Sequence, residues 1–371
     1  MRILHVSSAR ALGGGERHLA GLLDGLALRG HEVYAALSHS SPLRAELKKV
    51  PDSNVVRLPL RNALDAPSAI RLARFLRARR IEIVHAHLAR DYPLAALASR
   101  LAPGSKLFIT RHVLFPLGRI HSLTLRRAAR IIAVSDAVAR TLRARRLFPP
   151  DKIRTVHNGI DLERFERSAR EFNRIEFRRS TGTTARLVVG TIGELSGVKG
   201  QEDFVRAAAL VVRTLGDEAG FLVVGEDASR DGHRRAAIEK LIDELNLGER
   251  VRLLGHLEDV APVLHALDLY VSASRSEAFG LALVEAMACG LPVLATATEG
   301  AREIVEEGAT GRLVGVGDVE ALAESIVALL RNPSERERLG ANARLAARQR
   351  FSLARMVEAT EQLYEETLDA K

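Results

Sequence analysis

The chain has 371 residues, of which 47% are hydrophobic and 27% charged, proportions typical of a folded globular protein with room for two domains. Its single cysteine, Cys289, excludes an internal disulfide and a four-thiolate zinc site. No apolar run approaches the roughly 18 residues of a membrane-spanning helix, and the first residues do not resemble a signal peptide, so we expect a cytoplasmic protein.

The charge is divided unevenly along the chain. Residues 1–150 contain 26 Lys and Arg against 9 Asp and Glu, whereas residues 151–371 contain 29 against 37. Two halves of opposite sign indicate two units with different partners. The basic half is expected to meet an anionic partner: nucleic acid, acidic lipid headgroups or a phosphorylated substrate.

Short β-rich runs alternate with amphipathic stretches along the whole chain, which predicts an α/β fold with two doubly wound, Rossmann-like parallel sheets. In the first half the predicted strands are Ile3–Val6, Glu32–Leu37, Val55–Leu58, Glu82–His85, Lys106–Thr110 and Arg130–Val134. In the second half they are Arg186–Thr191, Phe221–Val224, Arg250–Leu253, Leu269–Val271, Pro292–Ala295 and Gly311–Val314.

The domain junction is predicted in a polar stretch, Thr155–Arg179, that contains the turn dipeptide Asn158-Gly159. We therefore expect one domain over residues 1–165 and another over 180–350. The last 21 residues, 351–371, are predicted to form a helix that packs back on the first domain. Ligands of such sheets bind beyond the carboxyl ends of the strands, so a site is expected in a cleft between the two domains.

Two glycine-containing segments follow predicted strands. The first, Gly13-Gly14-Gly15-Glu16, opens a helix and suits a backbone anion site, although a simple tight turn explains it equally well. The second runs from Ser276 to Val293, with Glu277 in a loop, Gly280 at the turn and Glu285 one turn into a helix. Its N–H groups could hold a diphosphate and Glu285 a pair of ribose hydroxyls; alternatively, the glutamates are a helix cap and a solvated helix residue.

The second segment resembles the E-x7-E region of retaining glycosyltransferases of family 4, which have the GT-B fold. Further segments follow in the order typical of that family: Gly13–Glu16, Thr110–His112, Val134-Ser135, His157–Asp161, Gly193–Leu195, Lys199-Gly200, Val224-Gly225, Leu254-Gly255, and Gly300 with Glu303. The resemblance therefore covers nearly the whole chain. It implies a nucleotide-diphospho-sugar donor in the second domain and a glycan, lipid-linked or small-molecule acceptor in the first.

The resemblance also implies roles for particular residues. Catalysis would involve His112 near the transferred sugar, Lys199 at the leaving phosphates and Glu277 on the sugar hydroxyls. Glu285 would hold the donor ribose. Other donor contacts would come from Gly14, Gly15, Glu194, Gly225, Leu257, Phe279, Gly280 and Leu281. On the acceptor side the candidates are Glu16, Arg17 and Arg111.

The chemistry expected of such a site agrees with these roles. Breaking a sugar–phosphate bond builds negative charge on the diphosphate, so stabilising the leaving oxygens is the main electrostatic requirement. The sequence has no Asp-x-Asp metal motif. We therefore predict transfer without a metal or cofactor, and front-face attack in which the departing phosphate takes the acceptor proton.

Two residues depart from the family pattern. Glu194 stands where the family has an arginine that grips the diphosphate, and a carboxylate there would repel phosphate. Either Glu194 turns away and another cation replaces the arginine, with Arg10, Arg17, Arg111 and Arg275 as candidates, or donor binding is altered. Glu299 replaces the first glycine of a Gly-Gly pair.

Histidines and arginines of the first half allow further interpretations. His85 and His87 share one face of a strand, but no third ligand stands near them in the sequence, so we predict no zinc site. The arginine-rich helices at 71–80 and 140–146 form either a solvated face or a peripheral contact with anionic membrane.

Two alternatives to a transferase remain open at this stage. One is a nucleotide-sugar epimerase of GT-B fold, which would convert its donor without an acceptor. The other is a non-enzymatic protein that binds nucleic acid or an anionic surface through the basic half. The sequence lacks a helix-turn-helix, a zinc finger and stacking aromatics, so we predict no nucleic-acid partner.

Overall fold

The computed structural model describes residues 1–115, 117–118, 121, 124–229 and 231–370. The chain divides into two compact units. The first comprises Met1–Ile160 together with Ser352–Lys371, and the second comprises Asp161–Phe351. Among the described residues, no helix combines the length and hydrophobicity needed to cross a bilayer.

The first unit is a seven-stranded parallel sheet with helices between its strands, in the strand order β3-β2-β1-β4-β5-β6-β7. The strands are β1 Arg2–Ser7, β2 Glu32–Ser38, β3 Val55–Leu58, β4 Ile83–Ala86, β5 Lys106–Arg111, β6 Arg130–Ala133 and β7 Ile153–Thr155. The described helices are α1 Gly14–Leu28, α2 Leu43–Glu46, α3 Ala66–Ala78, α4 Tyr92–Leu101, α5 Asp136–Ala144 and, at the end of the chain, the helix Leu353–Asp369.

The second unit is a six-stranded parallel sheet in the order β10-β9-β8-β11-β12-β13. Its strands are β8 Leu187–Ile192, β9 Ala219–Val224, β10 Val251–Gly255, β11 Leu269–Ser272, β12 Val293–Thr296 and β13 Gly311–Val314. Its helices are α6 Leu162–Glu171, α7 Arg174–Ser180, α8 Gln201–Leu215, α9 His233–Glu244, α10 Ala261–Ala266, α11 Leu281–Ala288, α12 Glu299–Ile304, α13 Val319–Arg331 and α14 Pro333–Arg350. The terminal helix of the first unit, Leu353–Asp369, is numbered α15.

The predicted α/β class is confirmed. Central strands such as β9 are buried along their whole length, which explains their continuous hydrophobic runs, because a parallel sheet is covered by helices on both faces. Strand β7 was not predicted, because its three residues give too short a pattern. Helices α6 and α7 in the predicted junction were not predicted either; α6 buries only Phe165, so its sequence is almost entirely polar.

Each sheet reverses its strand order at one place, between β1 and β4 in the first unit and between β8 and β11 in the second. In doubly wound sheets the loops that leave the carboxyl ends of these two strands diverge to opposite faces and open a crevice. In the second unit these loops are 193–200 and 273–280, which contain Lys199 and Glu277. Topology alone therefore brings together residues that lie 78 positions apart.

The last helix, α15, belongs to the first unit and packs on α1. Gly21 and Gly25 of α1 leave no room for a side chain, since an added Cβ would lie 3.0 Å from Leu353 Cδ1 and 2.5 Å from Val357 Cγ2. Beyond this close approach, Glu361 of α15 pairs with Arg29 and His31 at 2.5 Å each.

Candidate active site

The loop after β8 is fixed by backbone contacts. Gln201 donates its side-chain N–H to the carbonyls of Gly193 and Glu194, at 3.2 and 2.9 Å. Gly225 adopts a φ of +158°, and a Cβ there would lie 1.9 Å from the Gly193 carbonyl oxygen, so the position requires glycine. The side chain of Glu194 is exposed.

An ion pair joins the two loops at the strand-order reversal. Lys199 Nζ lies 2.6 Å from Glu277 Oε2, and the side chains are only 32% and 17% exposed. Ser274 donates a longer hydrogen bond of 3.4 Å to the same carboxylate oxygen. These two contacts fix the orientation of the Glu277 carboxylate. Its other oxygen, Oε1, can then accept a hydrogen bond in a defined direction. A small pocket lies beside this pair, lined by Thr191, Ile192, Lys199, Tyr270, Ser272, Ser274, Glu277, Gly280, Ala282, Leu283 and Ala301.

Gly280 begins helix α11 in a left-handed conformation, with φ +113°. The preceding loop is held by Gly300, whose N–H donates to the Glu277 carbonyl at 3.1 Å. A Cβ at Gly300 would lie 2.7 Å from the carbonyl oxygens of Glu277 and Phe279. Since the Phe279 ring is buried against Phe351, with ring centroids 5.6 Å apart, backbone groups and not the ring are presented at the start of α11.

Glu285 lies half-buried on α11 and influences the pKa of two neighbours, the buried Tyr270 and the half-buried Cys289. Burial raises the pKa of Tyr270, and the negative charges of Glu277 and Glu285 raise it further. Burial, followed by the charge of Glu285, also raises the pKa of Cys289. Both side chains are therefore neutral, and Cys289 is not a reactive thiolate. Leu257, one of the predicted donor contacts, follows β10 and is half-buried.

One proposed substitute for the missing arginine is already engaged. Arg275 forms two parallel hydrogen bonds of 3.0 Å with the buried carboxylate of Asp203. Its backbone N–H also donates to the Val198 carbonyl at 2.7 Å. Arg275 thus anchors the loop after β11 to α8, a role that the sequence analysis did not anticipate because Asp203 lies 72 residues away.

The acceptor-side candidates of the first unit also have structural partners. Glu16 accepts the Gly13 N–H at 3.0 Å and so caps α1, which begins at Gly14 and continues through Gly15. Arg111 is buried and donates to the Phe115 carbonyl. Arg17 lies in the first turn of α1.

His112 lies among other histidines. Its ring packs edge-on against His18 at 5.5 Å between centroids and lies 6.0 Å from His87. Burial, with a smaller effect of the neighbouring Arg111 charge, lowers the pKa of His112 to about 4. The ring is therefore neutral near pH 7 and can donate and accept one hydrogen bond each.

The expectation that His85 and His87 have no third ligand nearby is wrong. Strands β1 and β4 pair in a register that sets His5 opposite His85. Ring nitrogens of His5, His85 and His87 lie within 4.8 Å of one another. The third histidine, His5, comes from a strand 80 residues earlier in the sequence, so only the pairing register of β1 and β4 reveals that it lies near His85.

Two doubly wound parallel sheets, with a Lys–Glu pair and a glycine-opened helix at the strand-order reversal of the second, are the features expected of a glycosyltransferase of the GT-B type. The family model for glycosyl transferases group 1 matches residues 173–346, and the model for Glycosyltransferase Family 4 matches residues 12–164. The two models together cover most of both units and support a group 1 glycosyltransferase.

Named relatives agree with this assignment. The chain is 28% identical to N-acetyl-alpha-D-glucosaminyl L-malate synthase of Bacillus anthracis, over 92% of this chain and 91% of that protein. It is 36% identical to D-inositol 3-phosphate glycosyltransferase of Mycobacterium marinum, but this match covers only 55% of this chain and 43% of the relative. Among solved structures, Anabaena HepE in complex with UDP has the same fold, with a TM-score of 0.85, 23% identity and coverage of 99% and 100% of the two chains.

Proposed function

We propose that this glycosyltransferase moves a sugar from a UDP-sugar to a hydroxyl group of a small anionic acceptor, with retention of anomeric configuration and without a metal ion at the diphosphate. The observation that carries the proposal is the Lys199–Glu277 pair beside the N-terminus of α11. The choice of uridine rests on HepE, which was crystallised with UDP and with UDP-glucose.

The leaving diphosphate needs positive charge and oriented donors. Lys199 supplies a cation with three N–H donors, of which the Glu277 contact uses one. The N–H groups of Leu281 and Ala282 at the start of α11 precede the first intrahelical hydrogen bonds, which Leu283 and Val284 donate to the Gly280 carbonyl at 3.1 and 3.2 Å, and they carry the positive end of the helix dipole. Together they act on the charge that develops as the sugar–phosphate bond breaks.

Glu277 and Glu285 have different tasks in this proposal. The ion pair with Lys199 fixes Glu277 as a hydrogen-bond acceptor for sugar hydroxyls, and this use of the carboxylate argues against a role as nucleophile. Front-face attack then gives retention, and the leaving phosphate oxygen takes the acceptor proton. Glu285, one turn into α11, accepts the two ribose hydroxyls.

The acceptor is assigned to the first unit. The named relatives use L-malate and inositol 3-phosphate, both small hydroxylated anions. An anionic acceptor suits the positive charge of residues 1–150, which contain 26 basic and 9 acidic residues. His112, neutral near pH 7, would bond to a hydroxyl of the transferred sugar.

Contact with an anionic membrane is a secondary part of the proposal. Arg71, Arg74 and Arg77 are exposed on one side of α3, while Leu72 and Leu76 are buried on the other. Three such residues at an anionic surface contribute about 3 kcal/mol, which strengthens binding about 10²-fold.

A donor panel tests the proposal. The chain is incubated with UDP-, GDP- and ADP-sugars, with and without L-malate or inositol 3-phosphate and without added Mg²⁺ or Mn²⁺. We expect UDP release that depends on the acceptor, and NMR should show an α-linked product from an α-linked donor. An inverted product, or turnover only with an added divalent ion, would contradict the mechanism. Conversion of the donor sugar without an acceptor would identify an epimerase.

A further inference from the structure

The first unit has a crevice of its own at the reversal of its strand order. The loops that leave the carboxyl ends of β1 and β4 are residues 8–13 and 87–91. In doubly wound sheets such loops diverge to opposite faces of the sheet and leave room for a ligand between them. They are the counterparts of the loops that contain Lys199 and Glu277 in the second unit. Since the acceptor is assigned to the first unit, side chains that recognise it are expected here.

Three hydrogen bonds join the two loops of this crevice at Ser8. The Asp91 carboxylate accepts the Ser8 N–H at 2.8 Å. Arg90 donates from Nε to Ser8 Oγ and from Nη2 to the Ser8 carbonyl, each at 2.5 Å. Ser8 and Asp91 are only 1% and 2% exposed, whereas Arg90 is exposed. Two bonds to one buried residue therefore hold an exposed guanidinium group in a fixed orientation.

The positive charge of Arg90 has no ion-pair partner among the described residues. Its two bonds go to a hydroxyl and a carbonyl, which are both uncharged. The neighbouring carboxylate, Asp91, directs its Oδ2 at the Ser8 N–H instead. Other arginines of this unit do pair with a carboxylate, as Arg29 does with Glu361. An oriented arginine without such a partner is available to an anionic ligand.

The free edge of the Arg90 guanidinium has the geometry to bind a carboxylate or a phosphate. An arginine carries five N–H donors, and the contacts with Ser8 use Nε–H and one of the two on Nη2. The remaining donors, on Nη1 and Nη2, have no partner within the described ranges of the chain. Parallel N–H groups on these two nitrogens match two oxygens of a carboxylate or phosphate. A bidentate contact of this kind distinguishes an anionic acceptor from a neutral polyol.

Other candidate groups near this crevice are less suited to an anion. Arg111, which the sequence indicated, is buried and donates to the Phe115 carbonyl. His87 lies in the loop after β4, but burial lowers its pKa, so the ring is neutral near pH 7. Arg90 was not predicted, because Ser8, which orients it, lies 82 residues earlier in the sequence. Arg90 therefore combines a full charge with exposure and a fixed orientation.

We propose that Arg90 binds the carboxylate or phosphate group of the acceptor and so selects an anionic acceptor over a neutral one, with Ser8 as its positioning residue. The inference rests on the proposed function, which assigns a small hydroxylated anion to the first unit, and it adds the residue that recognises the anion. Arg90 contacts the acceptor away from the reacting atoms. Its loss therefore raises KM for the acceptor and leaves kcat and KM for the donor unchanged.

Calorimetry of the full chain in the presence of UDP tests this site without requiring turnover. L-malate and inositol 3-phosphate are titrated as separate probes, with myo-inositol as the neutral analogue. We expect the wild-type protein to bind at least one of the anions, and to bind it at least tenfold more tightly than myo-inositol. The two anionic probes show whether the guanidinium group is used for a carboxylate or for a phosphate.

Variants of Arg90 separate its charge from its geometry. Arg90→Gln should weaken anion binding about 10–100-fold, because charge-assisted hydrogen bonds are lost. Arg90→Lys keeps the charge without the planar fork and should give an intermediate affinity. Arg100→Gln is the matched control, because it removes an exposed arginine at the opposite end of α4, and it should bind like the wild type.

Ser8→Ala tests the positioning role. It removes the Oγ acceptor of Arg90 but keeps the arginine and its charge. We expect KM for the anionic acceptor to rise about 2–10-fold while KM for the UDP-sugar stays unchanged. A general loss of structure would alter both constants, so this difference distinguishes positioning from folding.

The outcomes separate this proposal from the proposed function. Arg90→Gln protein that is folded by circular dichroism and binds the anions as tightly as the wild type would overturn the proposal. Wild-type protein that binds neither anion, or binds myo-inositol equally well, would overturn it too. Wild-type protein that binds an anion through Arg90 but transfers no sugar to it would contradict the proposed function and support this site.

Discussion

The substitution Lys199→Met tests the proposed stabilisation of the leaving diphosphate. It removes the ammonium group but keeps an unbranched side chain of similar length. One preorganised donor at a developing anion is worth about 2.7–4 kcal/mol, or about 10²–10³-fold in kcat. Lys199 is 32% exposed, so solvent screens part of its charge. The lower end of this range therefore applies to Lys199, and we expect kcat to fall about 10²-fold, with a smaller change in KM for the donor.

The same substitution leaves Glu277 without its cation. Since the carboxylate keeps the Ser274 contact and some exposure, we expect a cost of about 1 kcal/mol, which lowers Tm by about 2–4 °C for a unit of this size. The assay is initial-rate UDP release, with thermal unfolding in parallel. Lys240→Met is the matched control, because it breaks a Lys–Glu pair of 3.5 Å on the exposed face of α9. If both variants reduce kcat equally, the role assigned to Lys199 is wrong.

Other positions give sharper structural tests. Glu285→Gln should weaken UDP binding by at least tenfold in calorimetry, because a charged acceptor of two ribose hydroxyls is lost; unchanged affinity would exclude the ribose contact. Gly300→Ala should lower the free energy of unfolding by about 1–3 kcal/mol and also reduce turnover, since its Cβ meets two carbonyl oxygens at 2.7 Å. Gly248→Ala, with open space around the Cβ, should change neither quantity. Glu194→Arg should raise donor affinity, because it replaces a carboxylate that repels phosphate with a cation; unchanged affinity would exclude Glu194 as a position that faces the diphosphate. Replacing the three exposed α3 arginines by glutamine should abolish sedimentation with phosphatidylglycerol vesicles, and unchanged sedimentation would exclude this helix as the contact.

Much of the fold could be predicted because the βα rhythm is strong. Val55–Leu58 and Gly311–Val314 were predicted with the observed bounds. Most other predicted strands differ from the observed ones by one or two residues. The predictions failed where a local pattern is weak: β7 has three residues, and α6 has a single buried side chain.

The candidate site was less accessible to sequence reasoning. The order of motifs located Lys199 and Glu277, but their contact depends on the strand-order reversal at β8 and β11. The pairing of Arg275 with Asp203 depends on how the loop after β11 meets α8, and nothing in either local sequence indicates it. The meeting of His5 with His85 likewise requires the register of two strands. Contacts that depend on tertiary geometry were missed, because no local sequence pattern indicates them.

The claim that the second unit binds the nucleotide diphosphate of the donor is tested most directly by a crystal structure of the chain with UDP. The account predicts density for the diphosphate beside Gly280 and the first turn of α11, with Lys199 Nζ within hydrogen-bond distance of a phosphate oxygen and Glu285 on the ribose. Well-ordered UDP bound at any other position, with Lys199 still paired only to Glu277, would contradict it.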